Sequence, residues 1–154
     1  MTDLWYPHLT VATIIENNGN FLMVKEVSDE KIVFNQPAGH VDKDETLFEA
    51  AVRETLEETG WHVNIDTLVG FYLYTSPENE TTYFRALFAA TAISHDKDRE
   101  LDDGILEAPW LSREQVKEQS NMLRSPMVLQ CIDDYLNGKR LPLDCISHLP
   151  AEAQ

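Results

Sequence analysis

Cysteine, basic residues and long apolar runs are all scarce in this chain. Of its 154 residues only two are cysteines, Cys131 and Cys145, too few for a disulfide framework and without metal-ligand spacing. They read as small hydrophobes in a reducing compartment. No apolar run reaches the roughly 18–20 residues needed to cross a bilayer. The opening segment MTDLWYPHLT carries an acid where a secretory leader would carry positive charge, so a cytoplasmic location without a membrane partner is expected. Glycine and proline number six and seven and form no linker. A single domain over residues 1–154, with its core at 7–147, follows as the expectation. Twelve bases stand against twenty-seven acids, a net charge of −15, and such a chain repels a long nucleic acid. A small phosphate-bearing molecule is not excluded, but two negative partners need a divalent cation between them.

The segment from His8 to Glu16 alternates polar and β-branched residues, and Asn17-Asn18-Gly19-Asn20 signals a turn into a return strand over Phe21 to Val27. Lys31 to Gln36 forms a third strand, stopped by Pro37-Ala38-Gly39. Trp61 to Tyr74 and Thr82 to Ile93 read as strands joined by the turn Ser76-Pro77-Glu78-Asn79. A first helix is expected over Glu45 to Glu58, capped by Asp44 and closed by Gly60. A short one spans Ser112 to Gln119 with a Ser112–Gln115 capping box, and a third runs from Pro126 to Asn137 with Gly138 as its stop. Strands first, one helix mid-chain and helices at the end make an α+β sandwich.

The first helix carries the chemistry. On a helical wheel Leu47, Phe48, Ala51, Val52, Thr55 and Leu56 share a largely apolar arc, and Glu54, Glu57 and Glu58 sit together beside it. Like charges at i, i+3 and i+4 near a helix C-terminus oppose both one another and the macrodipole. A local conflict of this kind marks a functional site, and a hard cation such as Mg²⁺ resolves it by taking oxygen ligands. An acidic helix alone would more simply be a solvated face of an acidic protein.

The surrounding residues decide against the simpler reading. From Gly39 to Trp61 the sequence is GHVDKDETLFEAAVRETLEETGW, which fits the pattern Gly-x5-Glu-x7-Arg-Glu-U-x-Glu-Glu-x-Gly-U, with U a bulky apolar residue. Gly39, Glu45, Arg53, Glu54, Glu57, Glu58 and Gly60 fill all seven fixed positions; a chance match is on the order of one in a million at ordinary residue frequencies. The chain therefore resembles the Nudix hydrolases, which cleave diphosphate linkages with Mg²⁺ or Mn²⁺. One position departs from the pattern: Thr55 stands where an aliphatic is usual, which concerns packing.

The resemblance implies an α/β/α sandwich with a mixed sheet and the box helix on one face. It also implies metal ligation by the Gly39 carbonyl and by Glu54, Glu57 and Glu58, with Arg53 orienting the carboxylates and Glu45 supporting the box. The catalytic set is then Arg53, Glu54 and Glu57, and the base that activates the attacking water is either Glu57 itself or a loop acid outside the box, for which Asp102 and Asp103 are the candidates; Asp103 is taken forward. Outside the box, Asn35-Gln36-Pro37-Ala38-Gly39-His40, Thr82 to Phe88, Leu123-Arg124-Ser125-Pro126 and YLNGKRLPL from Tyr135 to Leu143 are similar to one group of bacterial Nudix phosphatases. Members of that group act on hydroxymethylpyrimidine pyrophosphate, a thiamin-pathway intermediate, and on nucleoside tri- and diphosphates. Arg85, the only base in the run from Tyr83 to Ile93, together with Arg124, Phe34 and His40, are the candidate substrate contacts. Alternatives are cleavage of ADP-ribose or a dinucleoside polyphosphate, and a non-catalytic nucleotide-sensing module, which the three intact carboxylates oppose. The chain is expected to act as a monomer or a homodimer.

Overall fold

The computed structural model describes residues 3–151. In chain order they form β1 (His8–Ile14), β2 (Glu16–Asn17), β3 (Asn20–Leu22), β4 (Val24–Ser28), β5 (Lys31–Asn35), β6 (Ala38–His40), α1 (Leu47–Thr59), β7 (Trp61–Thr75), β8 (Thr82–His95), β9 (Ile105–Glu107), β10 (Trp110–Ser112), α2 (Arg113–Glu118) and α3 (Met127–Leu136). The main sheet has the order β6-β1-β8-β7, with β1 parallel to β8 and the other neighbours antiparallel. Two smaller ladders, β10-β3-β2 and β5-β4-β9, complete the strands.

Side chains alternate across a strand, and here both faces are covered. Val11, Ala86 and Phe88 meet Ala50 and Ala51 of α1 on one side. Ala12, Ile14, Leu87 and Ala89 meet Val128, Cys131 and Ile132 of α3 on the other. The fold is thus the expected α/β/α sandwich on a mixed sheet, with α+β character. No helix among the described residues is long and apolar enough to cross a membrane.

Several elements differ from the sequence expectation for local reasons. The strand expected over Phe21 to Val27 breaks at Met23, because β3 pairs with β2 and β10 while β4 pairs with β5 and β9. The first helix begins at Leu47 rather than Glu45, and its cap is Thr46, whose side chain accepts from the Glu49 N–H at 3.1 Å. Asp44 cannot be the cap: it lies in the left-handed region, with φ of 66°. Gly60 closes the helix as expected, at φ of 75°, with its N–H on the Leu56 carbonyl. The buried stripe of α1 is rotated from the wheel reading, and it consists of Ala50, Ala51, Thr55, Glu58 and Thr59. Thr55 fills its aliphatic slot by bonding back to the Ala51 carbonyl and across to the Thr13 hydroxyl, both at 2.8 Å.

The C-terminal segment is fastened rather than loose up to Ile146. Leu68 and Leu141 exchange two backbone hydrogen bonds, and the His148 ring accepts from the Leu47 N–H at 3.1 Å, one of the orphan donors opening α1. The sequence at the end of the chain, Pro150 to Gln154, predicts loose order; residues 152–154 of it lie outside the described residues.

The cap assignment has a direct test in urea unfolding. Thr46→Ala is expected to lower stability by about 1 kcal/mol, whereas Asp44→Gly, which suits a positive φ, is expected to cause no loss.

Candidate active site

Arg53 is the hub around which the acids of α1 are arranged. Its Nε and Nη2 donate to the two oxygens of Glu45, at 2.7 and 2.9 Å. Its Nη1 donates to Glu54 at 2.8 Å and to Glu57 at 3.2 Å, and Nη2 also reaches the His40 carbonyl at 3.0 Å. This bidentate fork is a geometry only arginine offers. Glu45 lies just before the helix, where the Asp42 N–H donates to it; the Arg53 hydrogen bond, working against burial, holds its carboxyl below the usual range.

Strand β6 delivers the backbone to these carboxylates. Gly39 is paired with Val11 of β1, and a Cβ at this position would overlap the Glu54 carboxylate. Only glycine lets the two approach. Next to it, the Ala38 N–H donates to Glu58 at 2.8 Å. Glu58 is buried, and burial pushes its carboxyl up to about 9 despite that bond, with Glu26, Glu54 and Asp102 adding to the rise. Burial likewise raises Glu54, against the pull of Arg53.

The fourth acid arrives from the loop after β8. The Asp102 N–H donates to the Glu57 carbonyl at 3.0 Å, near the C-terminus of α1, and Asp96 is similarly tied to Gly60. Glu54, Glu57 and Asp102 consequently bring one oxygen each within 4.8 Å of one another. Asp103, taken forward from the sequence, is exposed and does not join this group. Its neighbour is the one whose backbone is anchored to the helix end.

Beside Gly39 opens a cleft of about 380 Å³, whose wall includes Ala38, His40, Asn35, Arg85 and Arg124. Arg85 is 4% exposed. Arg124 is held at the Glu26 carboxylate at 3.1 Å, and its N–H bonds the Phe34 carbonyl. His40 faces His8, ring nitrogens 3.0 Å apart; burial, His8 and Arg124 together lower its pKa. Phe34 is a correction: it packs in the interior at 7% exposure and is not among the residues lining the cleft. Alternation along β5 explains this, since Val33 and Asn35 point into the cleft and Phe34 points away. Sequence reasoning also missed Glu26 and Asn35. Glu26 carries no motif, and Asn35 opens the segment Asn35 to His40 without a role of its own there; the strand pairing of β4 with β5 brings both to the site.

Comparison with known proteins identifies the family. A family model described as the NUDIX domain matches residues 6–130. The chain belongs to the Nudix family. Two curated relatives, each called phosphatase NudJ, from Escherichia coli K12 and Shigella flexneri, are 38% identical over 93% of this chain and 92% of their own. A solved NUDIX hydrolase from Nitrosomonas europaea superposes with a TM-score of 0.92 at 42% identity, covering 94% of this chain and 98% of that one.

This Nudix hydrolase therefore acts on phosphoric anhydrides, in a family that generally uses divalent metals. The donor set fits such an ion. Glu54, Glu57, Glu58 and Asp102 outnumber the one guanidinium among them, which is already engaged by Glu45. Glu58 in particular is buried with a neutral donor as its hydrogen-bond partner.

A pH dependence follows for the cation-free protein. Glu58 titrates at 4.5 when unfolded and near 9 when folded, so the folded chain holds a proton that the unfolded chain releases. Stability is therefore fully present below 4.5 and is lost as pH rises through about 9. Thermal melts in chelator from pH 5 to pH 9 should show this decline, and Glu58→Gln should flatten it; an unchanged slope in the variant would count against the assignment.

Proposed function

We propose that this chain is a Mg²⁺-dependent hydrolase, with Mn²⁺ as a substitute, that releases phosphate from pyrophosphorylated small molecules. The substrates in view are hydroxymethylpyrimidine pyrophosphate and nucleoside tri- and diphosphates. The observation that carries this reading is the gathering of Glu54, Glu57 and Asp102 next to Gly39, which itself lines a cleft large enough for a small molecule. The similarity to proteins named phosphatase NudJ supports the phosphate-releasing outcome. One domain, cytoplasmic and acting as a monomer or a homodimer, belongs to the same reading, in keeping with two unpaired cysteines.

The cation would be held by Glu54, Glu57, Glu58 and the Gly39 carbonyl. It would supply charge neutralisation at the phosphoryl oxygens and acidify the attacking water. The protein's own residues do the rest. Glu57 shares an oxygen with Arg53, whereas the Asp102 carboxylate has no hydrogen-bond partner among the described residues and lies within reach of the cluster. Asp102 is thus assigned to accept the proton of the attacking water. Arg53, locked by Glu45, fixes Glu54 and Glu57 as a pair. Arg124 and His40, on the cleft wall next to Gly39, meet the remaining phosphate oxygens, and the floor around Arg85 receives the rest of the substrate.

The test is product identification with Mg²⁺ on hydroxymethylpyrimidine pyrophosphate, nucleoside tri- and diphosphates, ADP-ribose and a dinucleoside polyphosphate. Orthophosphate from the first two groups is expected, with kcat reduced by about 10²–10⁴ in Glu57→Gln. Cleavage of ADP-ribose instead would overturn the substrate assignment. Asp102→Asn should lower kcat by about 10² or more, while Asp103→Asn stays close to wild type. The opposite ranking would move the base to Asp103.

A further inference from the structure

The floor of the cleft holds a cation without a counter-ion. Arg85 is 4% exposed, and no carboxylate among the described residues forms an ion pair with it. Its Nη2 donates to Asn35 Oδ1 and its Nη1 to Gln36 Oε1, both at 3.0 Å, with Cys131 Sγ at 3.8 Å. Its Nε is buried with no partner. A buried guanidinium with only neutral partners is costly in the free protein, so this arrangement calls for a purpose.

A guanidinium can only donate. Each amide that faces Arg85 must therefore present its oxygen, and this fixes which way round the two amides stand. Gln36 is used at both ends: its Oε1 meets Arg85 and its Nε2 donates to the Val128 carbonyl of α3 at 2.7 Å. It acts as a brace. Asn35 is used at one end only. With Oδ1 committed to Arg85, its Nδ2 has no acceptor among the described residues, and Asn35 lines the cleft. The amide cannot flip without setting its NH₂ group against a cation.

We infer that Asn35 is a specificity-determining residue whose amide NH₂, held donor-outward by Arg85, recognises a hydrogen-bond acceptor on the ring of the substrate. The acceptor is a carbonyl oxygen or an unprotonated ring nitrogen, as a pyrimidine or another nucleobase carries. Phosphate oxygens are acceptors too, but the anhydride is placed at the Gly39 end with the acids, so the floor meets the other end of the molecule. Arg85 acts through Asn35 and is a positioning residue. This assignment rests on the hydrolase reading given above, and it adds what that cleft selects.

The experiment uses the ring-bearing substrate of the panel that turns over fastest, with inorganic tripolyphosphate as a ring-free competitor at the same anion site. The readout is the KM of the first divided by the inhibition constant of the second. Asn35→Ala and Asn35→Asp should each raise that ratio about tenfold, the loss of one hydrogen bond in a desolvated site. Asn35→Asp can pair directly with Arg85, so it keeps the fold even if the alanine variant does not, and the ratio cancels its effect on any polyanion. Arg85→Lys, also a pure donor, should stay within about threefold of wild type, whereas Arg85→Gln, free to present either end of its amide, should not. A ratio within about twofold of wild type in a folded Asn35 variant would overturn the assignment while leaving the hydrolase standing. A wild-type protein that hydrolyses nothing on the panel would remove both.

Discussion

The fork between Arg53 and Glu45 is the contact on which the site depends. Glu54 and Glu57 on one helix face repel one another, and a single guanidinium donating to both of them, to Glu45 and to the His40 carbonyl holds them in register, while Glu58 is held by the Ala38 N–H. Glu45 is what makes this possible. Standing outside the helix, it takes two of the five N–H groups in bidentate fashion, fixing the plane of the guanidinium before either of the other acids is placed. The Gly39 backbone then packs where a Cβ would collide with Glu54. The carboxylate cluster is in this sense a property of the connection between β6 and α1 as much as of the helix itself.

Charge is distributed along the cleft rather than averaged over it. One end gathers the acids of the box, and burial drives two of them, Glu54 and most of all Glu58, away from ionisation. The floor carries Arg85 with neutral partners, and the wall carries Arg124 balanced on Glu26. The substrate proposed above, with an anhydride at one end and a planar, acceptor-bearing ring at the other, would meet this polarity in the presence of a divalent cation. The overall charge of −15 does not contradict an anionic substrate, since the local field near the ligand comes from these few groups.

The mixed sheet makes the two ends meet. Because β1 runs parallel to β8 and antiparallel to β6, Thr10 is flanked by His40 on one side and Arg85 on the other. The box backbone and the floor cation are thereby set two strands apart. The loop after β8 returns over the C-terminus of α1, and its hydrogen bond to the Glu57 carbonyl brings Asp102 to the helix acids. The cleft is lined by residues of β6, β1, β8 and β7 from the main sheet, and is walled by β4, β5 and the segment before α3.

The spacing of Gly39, Glu45, Arg53, Glu54, Glu57, Glu58 and Gly60 was legible in the chain itself, because a helix brings residues at i, i+3 and i+4 together without reference to anything else. The β-branched strands, the Gly60 stop and the capping box at Ser112 were legible for the same reason: each is settled within a few residues. What lay beyond local reach needed the fold. Thr46 displaces Asp44 as the cap because the backbone turns left-handed at Asp44 to bring Glu45 onto Arg53. Asp102 rather than Asp103 enters the cluster because one backbone N–H finds the end of α1. Phe34 leaves the cleft and Asn35 enters it because β5 is pleated against β4, and the orientation of the Asn35 amide is decided by an arginine fifty residues away in sequence. Sequence determined the chemistry carried on one helix; tertiary packing decided which loop acid joins its cluster and which groups line the cleft, because those choices depend on contacts between elements that no local spacing encodes.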